Sequence, residues 1–289
     1  VILSVLACLP ALPSPPGDAC ADWLAPGAYS LAIAHDGRRR TARVDVPRGP
    51  GPRSLVVNLH GYTSSAEEQL SYTAYDALAL AEGFVVAHPQ GTGWARAFNG
   101  GDCCGAASDD AVDDVGFLDA LAAELDERLC VDEVLATGMS NGAIMAQAWA
   151  CESAWPDAVV SVAGSLEVDR CAGEPLPVLH VHGTADTIVP YAGGVGNLKG
   201  QGSFLGVKDT LAVWQARNGC SGEPEQRWHG EVLCERWSCV ADTWLCTVYG
   251  GGHQWPGAAW PLERGGFLSD DWSATEQGWA WFQGDEQGR

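Results

Sequence analysis

An apolar run of strand character, DEVLATG at 132–138, passes without a linker through Met139 and Ser140 into NGAIMAQAWACES, a run of helical character. A chain that turns from a buried strand straight into a helix needs unusual backbone angles at the turn. Gly138 and Gly142 flank Ser140 as G-x-S-x-G and relieve the crowding that such a turn creates. The five residues alone arise by chance in a glycine-rich chain, so their place between strand and helix carries the weight.

The rest of the chain repeats that rhythm. YSLAIAHD and TARVDVP predict an antiparallel hairpin, with HDGRRR between them and Arg38, Arg39 and Arg40 as a solvated turn. RSLVVNLHG, FVVAHP, AVVSVAG and LPVLHVHG predict buried strands. SAEEQLSYTAYDALALAEG predicts one helix, capped by Ser65 and stopped by Gly83. DDAVDDVGFLDALAAELDERL predicts an amphipathic helix, with acids in its first turn and Arg128 near its end, as the helix dipole prefers. VKDTLAVWQARNG is a later helix, EVLCERWSC and TWLCTVYGGG a neighbouring strand pair, and a last helix lies around Thr275 to Phe282. Strands alternating with helices imply an α/β fold: a mostly parallel central sheet with helices on both faces, in a single domain over 19–289.

VILSVLACLPALPSPPGDAC opens apolar, then turns to small residues and prolines, and reads as the tail of a secretory signal over 1–18. VLAC also resembles a lipoprotein cleavage site, which makes a lipid anchor at Cys8 the alternative. The chain has 11 cysteines. With Cys8 removed or lipidated an even number remain, which favours disulfides and a secreted or periplasmic location. No C-x-x-C pair occurs, and the adjacent Cys103 and Cys104 are poorly placed to chelate one tetrahedral ion, so no metal is expected. A net charge of −21 with no basic patch argues against nucleic acid and anionic membranes as partners. No apolar run beyond the first dozen positions is long enough for a transmembrane segment, and a monomer is expected.

A serine hydroxyl at a tight turn becomes a nucleophile only with a base to take its proton and an acid to orient that base. The base candidate is His253, in the glycine-rich YGGGHQWPG after the last apolar strand. Among the seven histidines, His60, His180 and His182 read as structural, His88 ends a strand, and His35 and His229 fall in hairpin-like surface stretches. The acid candidate is Asp186, in the polar loop that follows LPVLHVHG at the strand end where Ser140 also emerges; Asp157 and Asp169 are its rivals. An oxyanion hole would take the backbone N–H groups of Asn141, after the nucleophile, and of Tyr62, in LHGYTSS. Of the 13 tryptophans most read as packing, but Trp255 is placed to wall the site beside His253, and Trp94, after HPQG, is a weaker substrate-binding candidate.

With these residues assembled, the chain resembles the secreted esterases of the polyhydroxybutyrate depolymerase and feruloyl esterase type, within the α/β-hydrolase superfamily. The resemblance runs from about Ser54 to Trp260 and rests on NLHGYTSS, HPQGTG followed by CCG, VDDVGFL, ATGMSNGAIMA, HVHGTADTIVPYAGG and GGGHQWPG. It implies Ser140 as nucleophile, Asp186 as acid, His253 as base, and Tyr62 and Asn141 as oxyanion donors, with no cofactor. Cys234 and Cys246 look like additions to the family's common pattern. The expected pairings are Cys220 with Cys239, and Cys234 with Cys246 across adjacent strands. The implied substrate is a hydroxycinnamoyl (feruloyl) ester on plant polysaccharide or a polyhydroxyalkanoate-type polyester, with aromatic polyesters as side substrates. The competing readings are a serine peptidase of related fold and a catalytically silent, glycan-binding member of the superfamily.

Overall fold

The structure, a computed structural model, describes residues 24–49, 51–197 and 202–285. The leader assigned to 1–18, Cys8 and Cys20 lie outside the described residues. The chain begins with β1 (Gly27–His35), β2 (Arg38–Val46) and β3 (Arg53–Leu59), then α1 (Ala66–Thr73), α2 (Tyr75–Glu82) and β4 (Val85–Pro89). It continues with α3 (Gly105–Asp109), α4 (Asp114–Leu129), β5 (Val131–Met139), α5 (Asn141–Glu152), β6 (Ala158–Val162) and β7 (Val178–Gly183). A short pair, β8 (Gly194–Val195) and β9 (Ser203–Phe204), precedes α6 (Val207–Arg217), β10 (Ser221–His229), β11 (Val232–Ser238), β12 (Thr243–Val248) and α7 (Ala274–Phe282).

The main sheet runs β1-β2-β4-β3-β5-β6-β7-β12-β11-β10. From β4 to β12 every neighbouring pair is parallel, and antiparallel hairpins extend both ends. The two-residue period of a strand sends alternate side chains into two cores. Leu55, Val57, Val134 and Ala136 pack against α4, α5 and Trp214 of α6. Val56, Val86, Leu135, Val160 and Val181 pack against Tyr72, Tyr75 and Ala79 of α1 and α2 and Trp279 of α7. Helices therefore cover both faces, as the strand–helix rhythm predicts.

Two local expectations are corrected. The single helix from Ser65 to Gly83 is broken at Ala74, which adopts φ 54° and ψ 29°. The Thr73 carbonyl accepts the Thr275 hydroxyl at 2.7 Å, and the break turns Tyr75 fully into the core. Arg38–Arg40 are not a solvated turn. They begin β2, and Arg40 is 3% exposed because its position faces inward with Ala42 and Val44. Its charge is met by Asp114 and its guanidinium lies 3.9 Å from the Phe117 ring centroid. The edge strand β10 is missed by sequence patterning because it is mostly polar, mostly exposed and contains Pro224.

Disulfides join Cys220 to Cys239 and Cys234 to Cys246, the latter across a register pair of β11 and β12. Cys151 pairs with Cys171, and Cys103 with Cys104. A loop of about 15 residues closed by a disulfide contributes roughly 3 kcal/mol. Among the described residues, no cysteine lines the cleft that holds Ser140. A thiol reductant is therefore expected to lower Tm by at least several degrees while leaving initial turnover at 25 °C largely intact. Calorimetry beside an initial-rate assay checks this, and an unchanged Tm after full reduction would refute it.

Candidate active site

Ser140 stands where β5 ends and α5 begins, with φ 57° and ψ −123°, a conformation that side-chain-bearing residues rarely adopt. The turn is held by its neighbours: the Ser140 N–H donates to the Val162 carbonyl, and the Ser140 carbonyl accepts from Ile144, both at 2.9 Å. A Cβ added at Gly142 would lie 2.1 Å from the Leu59 carbonyl oxygen, and one at Gly138 would lie 2.6 Å from the Gly142 carbonyl carbon. Both glycines are thus required by close backbone approach.

Asp186 lies in the loop after β7, at the same end of the sheet as Ser140. Its Oδ1 accepts the N–H groups of Ile188 and Val189 at 2.8 and 2.9 Å, which fixes the carboxylate plane. Its Oδ2 faces His253 Nδ1 at 2.7 Å, and His182 Nε2 stands 3.4 Å away. Burial alone would push this carboxyl up. The His253 charge, with hydrogen bonds from His182 and His253, overrides burial and holds it well below the ordinary carboxylate range. His253, 5% exposed, is carried on the loop after β12. Gln254 braces that loop, donating to the carbonyls of Leu262 and Gly266 and accepting from Leu262 N–H and the Tyr72 hydroxyl. The rival acids stand elsewhere: Asp157 accepts the Val134 N–H at the start of the sheet, and Asp169 is exposed.

Ser140, His253, Gly61 and Tyr62 line one cleft of about 610 Å³, together with Tyr72 and Trp260. Asn141 is buried, and its side-chain amide pairs with both the N–H and the carbonyl of Phe98 at 2.9 Å. His60 holds the other proposed donor. Its Nε2 accepts the Gly91 N–H at 2.9 Å, so its Nδ1 carries the proton and donates to the Gly61 carbonyl at 2.8 Å. Burial lowers the His60 pKa to about 4, against the opposing pull of that bond to Gly61, so the ring is neutral at pH 7. In a trans peptide the carbonyl and the N–H point opposite ways, so the bond that holds the Gly61 carbonyl also orients the Tyr62 N–H. Sequence reading placed His60 as structural but did not find this link.

The tryptophan expectations fare differently. Trp255 does not face the cleft: it is fully buried, its ring meets Tyr75 edge-on, and its indole N–H donates to Thr275 at 3.0 Å. The loop that presents His253 drives the next aromatic inward, where Tyr72 O–H accepts the Trp255 backbone N–H. Trp260, overlooked in the sequence, is the indole at the cleft, 45% exposed with its ring centroid 5.9 Å from that of Tyr72. Its only signal was a tryptophan in a loop without an apolar stretch to bury it. Trp94 is 98% exposed on the turn between Thr92 and Ala97. That turn is tied to the Tyr62 loop, since Ala95 accepts the Thr63 N–H at 2.8 Å, but Trp94 is not among the residues lining the cleft.

No family model matches the chain. It is 32% identical over 258 residues to "Putative esterase NocK" of Nocardia uniformis subsp. tsuyamanensis, covering 78% of this chain and 73% of that protein. The chain belongs to the esterases, the carboxylic ester hydrolases, and has the α/β-hydrolase fold. It is also 33% identical over 218 residues to feruloyl esterase B of Piromyces equi, covering 69% of this chain but only 39% of that protein's length. Among solved structures, an acetyl xylan esterase from Aspergillus awamori superposes with a TM-score of 0.61 at 14% identity, over 79% of this chain and 94% of the other, a likeness of fold.

Proposed function

We propose that the chain is a serine esterase that cleaves hydroxycinnamoyl (feruloyl) esters on plant polysaccharide through an acyl-enzyme. The observation that carries this is the buried Asp186–His253 contact of 2.7 Å, with His253 lining the same cleft as Ser140. In this reading Ser140 Oγ attacks the ester carbonyl while His253 Nε2 takes its proton. Asp186 keeps the Nδ1 proton in place and stabilises the imidazolium. The N–H groups of Tyr62 and Asn141 receive the developing oxyanion, and His253 returns its proton to the departing alcohol. Water then repeats the sequence on the acyl-enzyme, freeing the acid, with no cofactor. The relative named feruloyl esterase supports the aromatic acyl group, and Trp260 beside Tyr72 supplies an aromatic wall for it.

The same reading takes residues 1–18 as a leader remnant and 19–289 as a monomeric catalytic domain in an oxidising, secreted or periplasmic setting. The disulfides support that compartment. No helix among the described residues is long and apolar enough to cross a membrane. The test is product analysis on methyl ferulate, a 3-hydroxybutyrate oligomer and amorphous polyhydroxybutyrate, run side by side with fluorophosphonate labelling. Release of ferulate as the preferred product, with one label lost in Ser140→Ala, is the expected outcome. Preference for either hydroxybutyrate substrate would move the assignment to polyesters, and no labelling would remove the serine mechanism.

If Trp260 is the acyl wall, Trp260→Ala should lower kcat/KM on methyl ferulate roughly 3- to 30-fold more than on p-nitrophenyl acetate, since an aromatic contact adds about 0.5–1.5 kcal/mol to area burial. Trp255→Ala should affect both substrates alike and cost about 3–5 kcal/mol of stability, as for a buried aromatic. Equal losses on the two esters in Trp260→Ala would remove the wall.

A further inference from the structure

β7 carries Val178, His180 and His182 on one face, and both imidazoles are buried. Apolar side chains would fill that face at lower cost, so two buried imidazoles call for a task. Their hydrogen bonds point to the site. His182 Nε2 stands 2.8 Å from the Val189 carbonyl and 3.4 Å from Asp186 Oδ2, and its Nδ1 stands 3.3 Å from His180 Nε2. The Val189 N–H is one of the two that hold Asp186 Oδ1, and Ile188 beside it lines the cleft.

A carbonyl only accepts, so His182 Nε2 carries a proton. The contact between the two rings then has two forms. If His180 donates, both rings are neutral, and the one ring nitrogen without a partner, His180 Nδ1, is a bare acceptor. If His182 donates, it is an imidazolium. Burial keeps His180 neutral, so its Nδ1 would then be a buried N–H with no acceptor. Orphaned buried N–H groups are rarer than orphaned acceptors, which selects the first form. Tyr191, whose ring meets His182 edge-on, pairs its hydroxyl with Thr247 at 2.9 Å and does not compete for either nitrogen. The difference matters to the chemistry. An imidazolium at position 182 would set a positive charge beside Asp186 and weaken its support for His253 as that ring takes a proton. A neutral His182 gives the loop a donor and leaves the carboxylate its charge.

We propose that His182 is a positioning residue for the reaction, its tautomer set by His180. It is a neutral donor that holds the 186–189 loop so that Asp186 presents Oδ2 to His253. The proposal rests on the serine mechanism given above. Its test is turnover of p-nitrophenyl acetate, with Ser140→Ala as control. His182→Leu removes the donor, and His182→Gln keeps an N–H. His182→Leu should lose roughly 10- to 100-fold in kcat with KM within about twofold, and His182→Gln should recover most of that loss. Ring ¹⁵N spectra of the unmodified chain at pH 7 need no variant, and so decide the matter even if His182→Leu folds poorly. They should show His180 and His182 both protonated at Nε2 and bare at Nδ1. An imidazolium or an Nδ1–H tautomer at either ring would overturn the proposal. So would full kcat in His182→Leu beside an inactive Ser140→Ala, or a loss that His182→Gln does not relieve. Turnover surviving in Ser140→Ala would instead remove the serine mechanism, and this role with it.

Discussion

Ser140→Ala is expected to leave a folded protein that has lost at least about 10⁴ in kcat, and His253→Ala to match it, because nucleophile and base act as one unit. The double variant should be hardly worse than either single one. Asp186→Asn gives the finer test. The Asp186 carboxylate accepts on both oxygens: Oδ1 takes two backbone N–H groups and Oδ2 faces His253 Nδ1. An asparagine has one acceptor oxygen, which the two N–H groups claim, so its amide would donate to Nδ1. That forces the proton onto Nε2, the nitrogen that must take the serine proton. Activity should fall by up to about 10⁴ while the fold survives. Steady-state kinetics with a circular-dichroism check measures this. Near-normal turnover in Asp186→Asn would remove Asp186 from the site and leave the base to be oriented by another group.

What could be read in the sequence divides along physical lines. β5, Ser140 and α5 were legible because a buried strand, a glycine-flanked turn and a helix are all local patterns. The loops carrying Asp186 and His253 were legible as positions, since each follows an apolar run, and the structure brings the two side chains within 2.7 Å. Orientation was not legible. Trp255 and Trp260 sit on the same loop, and which indole faces the cleft depends on Tyr72 and Thr275, partners remote in sequence. Arg40 failed for a similar reason. Three consecutive arginines look solvated until Asp114 and Phe117, from a distant helix, supply a counter-charge and a ring. The break at Ala74 likewise answers to Thr275, not to anything in its own helix. Local period is written in the chain, but the facing of single side chains is decided by long-range contacts.

The histidines lead to a strong acid dependence of stability. His60, His88 and His180 are all fully buried. Burial, the main cause in each, lowers the pKa of His60 to about 4 and of His88 to about 3, and holds His180 well below its ordinary value. Unfolded, each returns to about 6.5. Below that pH the unfolded chain therefore binds more protons than the folded one, so stability is full above about pH 6.5 and is lost as pH falls toward 4. His60 and His88 alone give a slope that approaches about 3 kcal/mol per pH unit, or roughly 3 kcal/mol in all between pH 6.5 and 5, and His180 acts in the same direction. A domain is stable by only about 5–15 kcal/mol, so the loss is a large share of the whole. The many carboxylates relieve self-repulsion when protonated, but they titrate mostly near pH 4, at the lower edge of this window. Urea unfolding at pH 7.5, 6.0 and 5.0 should show the midpoint falling steadily, with His88→Leu flattening the slope by about one proton. Stability that stays level or rises between pH 6.5 and 5 would mean that these rings are not held neutral in the fold.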